Sequence, residues 1–427
     1  MRYLLLALWL TTPYPTIVKI STVNPREAGK PVDPAVKVLV LAATALLTME
    51  AALALLVQLY LKDLGASPLV ISLSGSLAWG GTLLASPIWG AFGDRYSIRW
   101  LAVCVFLGSS LATAPLAVLL APPAVLVLGT VRRFLANGLP PIGMRMISAS
   151  STDRNRGRNL SFLSAARAAG FVFGGMLAGF LLDRAGYRYT FLIVTLLPVL
   201  VIPSLFKIPH RASANGRSLR PIPQRRLRDV WTPQLTLLYG AVVLRQLATT
   251  GVGALAYVYM ASHAISSGVM GVVSAVNPAI AVLGTLVFGH IIDRVNRKSV
   301  IVFGFAVAIL YPLLYSLAVT PAMFALAAVP LGLSFAAYYS GSTTHIGKIV
   351  PLEYQGTMFG LLDSCRGLGG LIGPILAGVL VTMCGYQSMF LVMAAISALS
   401  LAFALAGTRR GPGATQEGST RDVSSAG

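Results

Sequence analysis

The chain has 427 residues, of which 56% are hydrophobic and 11% charged, and 33 Lys and Arg face 13 Asp and Glu for a formal net charge of +20. A soluble globular protein carries about 25% charged residues, so this composition excludes a water-covered surface and makes a lipid bilayer the expected solvent. The cations lie mainly in short segments between apolar runs, which is the pattern of basic membrane-protein loops and argues against a nucleic-acid-binding face.

Residues 1–36 read as a cytoplasmic tail, because the apolar stretch Tyr3–Leu10 is too short to cross a membrane and runs into Pro13 and Pro15. Six apolar spans follow: Lys37–Leu61, Leu69–Phe92, Trp100–Leu120, Ala124–Ser148, Leu160–Leu182 and Tyr189–Leu205. Residues 206–233 form a basic linker, whose Arg225, Arg226 and Arg228 suit anionic lipid headgroups. Six further spans are Gln234–Met260, Val269–Ile291, Ser299–Leu317, Ala322–His345, Tyr354–Val381 and Ser388–Ala406. Residues 407–427 are Gly/Ser/Thr-rich and read as a disordered tail. The expected fold is all-α and integral to the membrane, with twelve transmembrane helices in two six-helix halves, 37–205 and 234–406.

Loops on one side carry Arg95, Arg99, Arg154, Arg156, Arg158, Arg294, Arg297, Lys298 and Lys348, and the linker lies with them. Opposite them stand only Lys62, Arg184 and Arg188. The excess of cations assigns the first side to the cytoplasm, with both termini inside a cell membrane. Cys104, Cys365 and Cys384 lack zinc-ligand spacing. Neither metal nor cofactor is expected, and the chain is expected to act as a monomer.

An internal repeat is the strongest organisational signal. At an offset of 199 residues, Gly90, Asp94 and Arg95 fall on Gly289, Asp293 and Arg294. At the same offset Leu163, Arg167, Gly170, Gly174, Ala178, Gly179, Leu181, Gly186, Tyr187, Phe191 and Leu192 fall on identical residues between 362 and 391. Two parallel repeats are the arrangement in which one half rocks against the other about a central site.

Ionisable residues inside spans are expensive in hydrocarbon and therefore mark candidate sites. They are Glu50, Arg132, Arg133, Arg145, Arg167, Arg245, Asp363 and Arg366. Glu50 stands about 13 residues into the first span, roughly 20 Å of rise and close to the bilayer midplane. It is read either as a proton carrier or as the partner of Arg133 or Arg245 in a structural ion pair. Arg132 and Arg133 point about 100° apart, so only one is expected to face a central cavity directly. Arg133, with Asn137 on its face, is favoured. Arg245, with Thr249 nearby, is expected to line the same cavity from the second half. Asp363 and Arg366 are three residues apart and can pair locally, and Arg167 shares the repeat position of Arg366.

These features resemble the major facilitator superfamily along nearly the whole chain. Gly90 through Asp94-Arg95 to Arg99 is similar to the family's signature loop, with Ser97 where the family has Gly. The second copy, Gly289 through Asp293-Arg294 to Lys298, has Asn296 there, a residue that tolerates left-handed backbone. The resemblance implies that both loops latch one conformation, and a gating role for Arg167, Asp363 and Arg366 is weighed beside a structural one. Gly369, Gly373-Pro374, Ala377 and Gly378 resemble a glycine pattern of drug–proton antiporters, where it belongs to the fifth span. Here that span has Gly175 in place of the proline. The mid-span acid Glu50 resembles the same branch. Expected, then, is a secondary transporter of a small solute working by alternating access, with proton-coupled efflux first. An organic-anion or phosphate-ester carrier is the alternative, because arginines outnumber acids within the spans. A non-transporting membrane sensor comes third. An enzyme is not expected, since His210, His263, His290 and His345 are dispersed.

Overall fold

A computed structural model describes residues 34–118, 121–150, 156–207, 231–292 and 295–408. Most of the two expected tails, most of the basic linker, and Asp293 and Arg294 fall outside the described residues. In chain order the helices are α1 (Pro34–Asp63), α2 (Pro68–Arg95), α3 (Ile98–Thr113, continued by a 3-10 turn at Ala114–Ala117), α4 (Pro122–Ala136), α5 (Leu139–Ser150) and α6 (Arg156–Leu205). The second half holds α7 (Pro233–Ser262), α8 (Ser267–Ile291), α9 (Arg297–Ala308), α10 (Leu310–Leu317), α11 (Pro321–Ile349) and α12 (Leu352–Thr408).

Hydroxyls and prolines set where several helices begin. Ser67, Thr232 and Thr320 precede Pro68, Pro233 and Pro321, whose missing N–H costs nothing in a first turn. Each hydroxyl accepts from the N–H three residues on, that of Val70, Leu235 or Met323.

Among the described residues, nine helical stretches are long and apolar enough to cross a membrane. Two of them, Phe162–Leu205 and Thr357–Thr408, run 44 and 52 residues, far beyond what about 30 Å of hydrocarbon needs. Each folds back on itself at a glycine with positive φ, Gly186 at 71° and Gly385 at 81°. The return is visible in the packing. Leu163 at one end of α6 packs on Gly143, while Phe206, just past the other end, meets Trp100 at 6.2 Å. The bend itself lies by Asp63, which accepts from the Tyr187 hydroxyl at 2.6 Å. So α6 holds the fifth and sixth crossings, and α12 the eleventh and twelfth.

The fourth and ninth spans depart from the single helices expected of them. The fourth breaks between α4 and α5 at Asn137 and Gly138, because Pro140 and Pro141 cannot donate to the preceding turn. The ninth breaks between α9 and α10, ahead of Pro312. With α4–α5 as one broken crossing, the chain makes twelve crossings in two halves.

The sequence repeat reappears as repeated contacts. A methyl placed on Gly170 would sit 2.8 Å from Leu47 Cβ, and one on Gly369 would sit 2.9 Å from Gln246 Cβ. One turn on, Gly174 lies against the Thr48 carbonyl and Gly373 against the Leu247 carbonyl. Each pair is the other shifted by 199 residues, so α1–α6 and α7–α12 are the same close backbone packing, which only small residues permit. The turns repeat too: Gly65 has φ 75° and its counterpart Ala264 has φ 57°.

The two halves meet through a second repeated pair of contacts. Gly75 of α2 packs on Pro374 of α12, and Gly378 on Ser72. Their repeat mates, Ser274 with Gly175 and Gly271 with Gly179, join α8 to α6. Near the same end, Gln58 of α1 donates to the Gly253 carbonyl at 2.9 Å and accepts from the Tyr257 N–H at 3.3 Å. Asp183 of α6 accepts from the Gly268 N–H at 2.8 Å, in the first turn of α8, where a carboxylate also meets the positive end of the helix dipole. These polar ties hold the cation-poor ends of the halves together and must part if the halves rock.

Candidate functional site

Glu50 lies in the middle of α1 with its side chain 2% exposed. A carboxylate this deep is stable only if its charge is paired and hydrogen-bonded. Both requirements are met from α4. Arg132 Nη1 pairs with one carboxylate oxygen, and Arg133 Nη1 reaches the other at 2.5 Å. Adjacent arginines diverge around a helix, yet the two oxygens of one carboxylate let both converge on it. Arg132 is thus a full partner, which the expectation of a single cavity-facing arginine missed. Arg133 lines the adjacent cavity, whereas Arg132 is buried and is not among its lining residues. The Nε–H groups of both arginines are buried and have no partner among the described residues.

The break after α4 fixes this geometry. Asn137, its last cap residue, donates to Thr82 Oγ1 at 3.0 Å and to the Arg133 carbonyl at 2.7 Å. Trp89 of α2 donates from its indole nitrogen to the Phe134 carbonyl at 2.9 Å. A methyl on Gly138 would collide with the Trp89 ring, 2.8 Å away. Neighbouring α2 therefore clamps the segment that carries both arginines. The sequence signal for this clamp was the Asn137-Gly138 pair before two prolines.

Beside the triad is a cavity of about 120 Å³, lined by Glu50, Arg133, Asn137, Arg167, Leu47 and Phe171 among others. Its charged lining is two arginines and one carboxylate, on an otherwise mostly apolar wall. Arg167 enters from α6 and is also within electrostatic reach of Asp363, Arg366 and Tyr339 of the second half. Asp363 and Arg366 form the expected local pair, 2.9 Å apart, and the Arg366 guanidinium lies 5.4 Å from the rings of Phe335 and Tyr339.

Arg245 and Thr249 do not line this cavity. The Arg245 side chain is enclosed in the second half, where Nε donates to Ser334 Oγ at 2.9 Å and the guanidinium lies 4.1 Å over the Tyr338 ring. Thr249 turns its hydroxyl back onto the Arg245 carbonyl at 3.0 Å. The repeat explains the difference. Glu50 has Thr249 as its counterpart and Arg133 has Gly332, so the second half has no copy of the charged triad.

Of the expected latch residues, Gly90, Asp94 and Arg95 occupy the last turns of α2, with the side chains of Asp94 and Arg95 outside the described residues. Gly289 lies in α8 with open space around it. Ser97 and Asn296, where the family loop has glycine, sit at φ −62° and −61°. Neither needs the left-handed backbone that favours glycine; Asn296 instead caps α9 by accepting from the Lys298 N–H.

Twelve crossings in two repeat-related halves joined at one end, with a charged cavity in the first half, are the architecture of a membrane transporter. The model of the Major Facilitator Superfamily matches residues 38–259 and 238–425, and the chain belongs to that family. It is similar to the Staphyloferrin B transporter of Staphylococcus aureus, 23% identical over 77% of this chain and 80% of the relative. It is likewise similar to the multidrug resistance protein MdtG of Escherichia coli, 23% identical over 82% of this chain and 89% of the relative. Among solved structures it superposes on the nucleoside transporter NupG with a TM-score of 0.72 at 15% identity, covering 89% of this chain and 100% of the other. The protein is a membrane transporter of small solutes.

Proposed function

We propose that this transporter couples solute movement to protons and that Glu50 carries the proton. The supporting observation is the position of Glu50: it lines the cavity and is gripped by two guanidinium groups at once. A proton on Glu50 releases both arginines, and a solute group that engages either side of the triad changes what the proton meets. Proton and solute therefore act on one electrostatic centre. Proteoliposomes with trapped pyranine test this, since each solute pulse that is carried should move protons with it. Solute carried with no change of internal pH would overturn the proposal.

Proton-coupled efflux, the first expectation from the sequence, is the second reading here, and the resemblance to MdtG, named as a multidrug resistance protein, favours it. There a cationic or neutral solute competes with the proton for Glu50, and exchange follows. We further assign the loop end bearing Arg99 and Lys298 to the cytoplasm, with both termini inside and the monomer as the working unit. Cysteines introduced at Ser97 and Gly65, in protein lacking Cys104, Cys365 and Cys384, check the sidedness. An impermeant thiol reagent applied to whole cells should label Gly65→Cys and spare Ser97→Cys.

A further inference from the structure

We propose that the solute is an organic monoanion with an apolar body, which replaces the Glu50 carboxylate on Arg132 and Arg133 and enters together with one proton. The inference rests on the reading of the Glu50 cavity as the transport site and names its substrate class.

The charge of the site carries the argument. Among the described residues, the charged groups acting on Glu50 are Arg132 and Arg133 of α4. Arg167 of α6 shares the cavity, and α1 itself has no other cation or carboxylate between Lys37 and Lys62. No charged group of the second half stands among the cavity-lining residues. One carboxylate thus stands among three arginines. A cationic solute entering here meets uncompensated positive charge, which a low-dielectric site makes costly. An anion meets donors in a planar fork suited to a carboxylate or phosphonate, and two buried Nε–H groups without partners. Leu47, Leu163 and Phe171 line the same cavity and suit an apolar remainder.

Adding an anion alone would leave two carboxylate-like groups competing for one pair of guanidiniums. If a proton from the open aqueous side settles on a Glu50 oxygen, the neutral acid gives up both arginines. The anion's oxygens then take the hydrogen bonds that Glu50 relinquishes. Before and after, two guanidiniums hold one negative charge, so loading leaves the buried charge unchanged. Solute and proton therefore travel in the same direction, one for one, and the loaded cycle is electroneutral. A cation competing with the proton for Glu50 would require the opposite, exchange.

The test is binding by purified protein, measured calorimetrically across the neutral pH range. Benzoate serves as the monoanion with an apolar body, and tetraphenylphosphonium as the charge-reversed probe. The benzoate Kd of the wild type should fall about tenfold for each pH unit lowered, the slope for one proton taken up with the ligand. In Glu50→Gln the competing carboxylate is gone, so benzoate should bind with no pH dependence. Arg133→Gln should lose benzoate binding in either background. The double variant Glu50→Gln/Arg132→Gln removes one charge of each sign, keeps Arg133 in the cavity, and should also bind without pH dependence. It serves where the single variant fails to fold. Absence of benzoate binding in these Glu50 variants, or a flat wild-type slope, overturns the proposal. Tetraphenylphosphonium binding that weakens as pH falls also overturns it, while leaving Glu50 as the proton carrier.

Discussion

Glu50→Gln protein in proteoliposomes should lose solute uptake driven by a pH gradient and keep counterflow exchange of solute. Glutamine matches glutamate in size, and its one amide oxygen still accepts from Arg132 or Arg133, but it neither carries charge nor takes up a proton. If the carboxylate is the proton carrier, gradient-driven uptake falls to the passive leak. Exchange needs only solute binding and rocking of the halves, so it persists. The same substitution removes the counter-charge of two guanidiniums, one of them 8% exposed. Removing one partner of a buried ion pair costs about 3–5 kcal/mol, so the variant should also melt at a lower temperature than the wild type. Pairing it with Arg132→Gln should recover part of that loss by removing one uncompensated charge. Undiminished gradient-driven uptake in Glu50→Gln would show that the proton travels elsewhere.

Much of this architecture was legible in the sequence because a duplicated chain states its packing twice. Gly170 and Gly369, or Gly174 and Gly373, stand at one offset, and the structure places each on its partner helix at equivalent backbone contacts. Glu50 was legible for a different reason: an acid in hydrocarbon is too costly to be incidental. Its true partners were harder to read. Helical phase separates Arg132 from Arg133, but it says nothing about a carboxylate with two oxygens and long, flexible guanidinium arms. Arg245 was placed in the cavity because an ionisable residue within a span, with Thr249 nearby, marks a candidate site, whereas the Tyr338 ring and Ser334 hydroxyl accommodate it inside the second half. Gln58 and Asp183 were missed altogether, since each ties residues remote in the chain through a backbone group that no side-chain pattern announces.

Gly174→Leu and Gly373→Leu should each remove most folded protein from the membrane fraction, and by the same mechanism. A methyl on Gly174 would stand 2.7 Å from Ala51 Cβ, and one on Gly373 the same distance from Thr250 Oγ1. In both cases the nearest obstacle is a backbone carbonyl, of Thr48 or of Leu247, which cannot swing aside as a side-chain tip can. Overpacking a well-packed interior costs about 1–3 kcal/mol, and occasionally more. Here the whole isobutyl group must enter a gap too small for its first carbon, so the helices have to separate. Separation of α6 from α1 also shifts Arg167 away from Glu50, so any surviving Gly174→Leu protein should show weakened solute binding. Gly373→Leu parts α12 from α7, away from the triad, so residual protein should bind solute more nearly as the wild type does. Gly360→Ala, with nothing within 4 Å of the added methyl, is the control and should accumulate normally. Fluorescence-detected size-exclusion chromatography of tagged variants reads all three. A monodisperse Gly174→Leu peak at wild-type height would mean that α1 and α6 are not locked together by backbone contact.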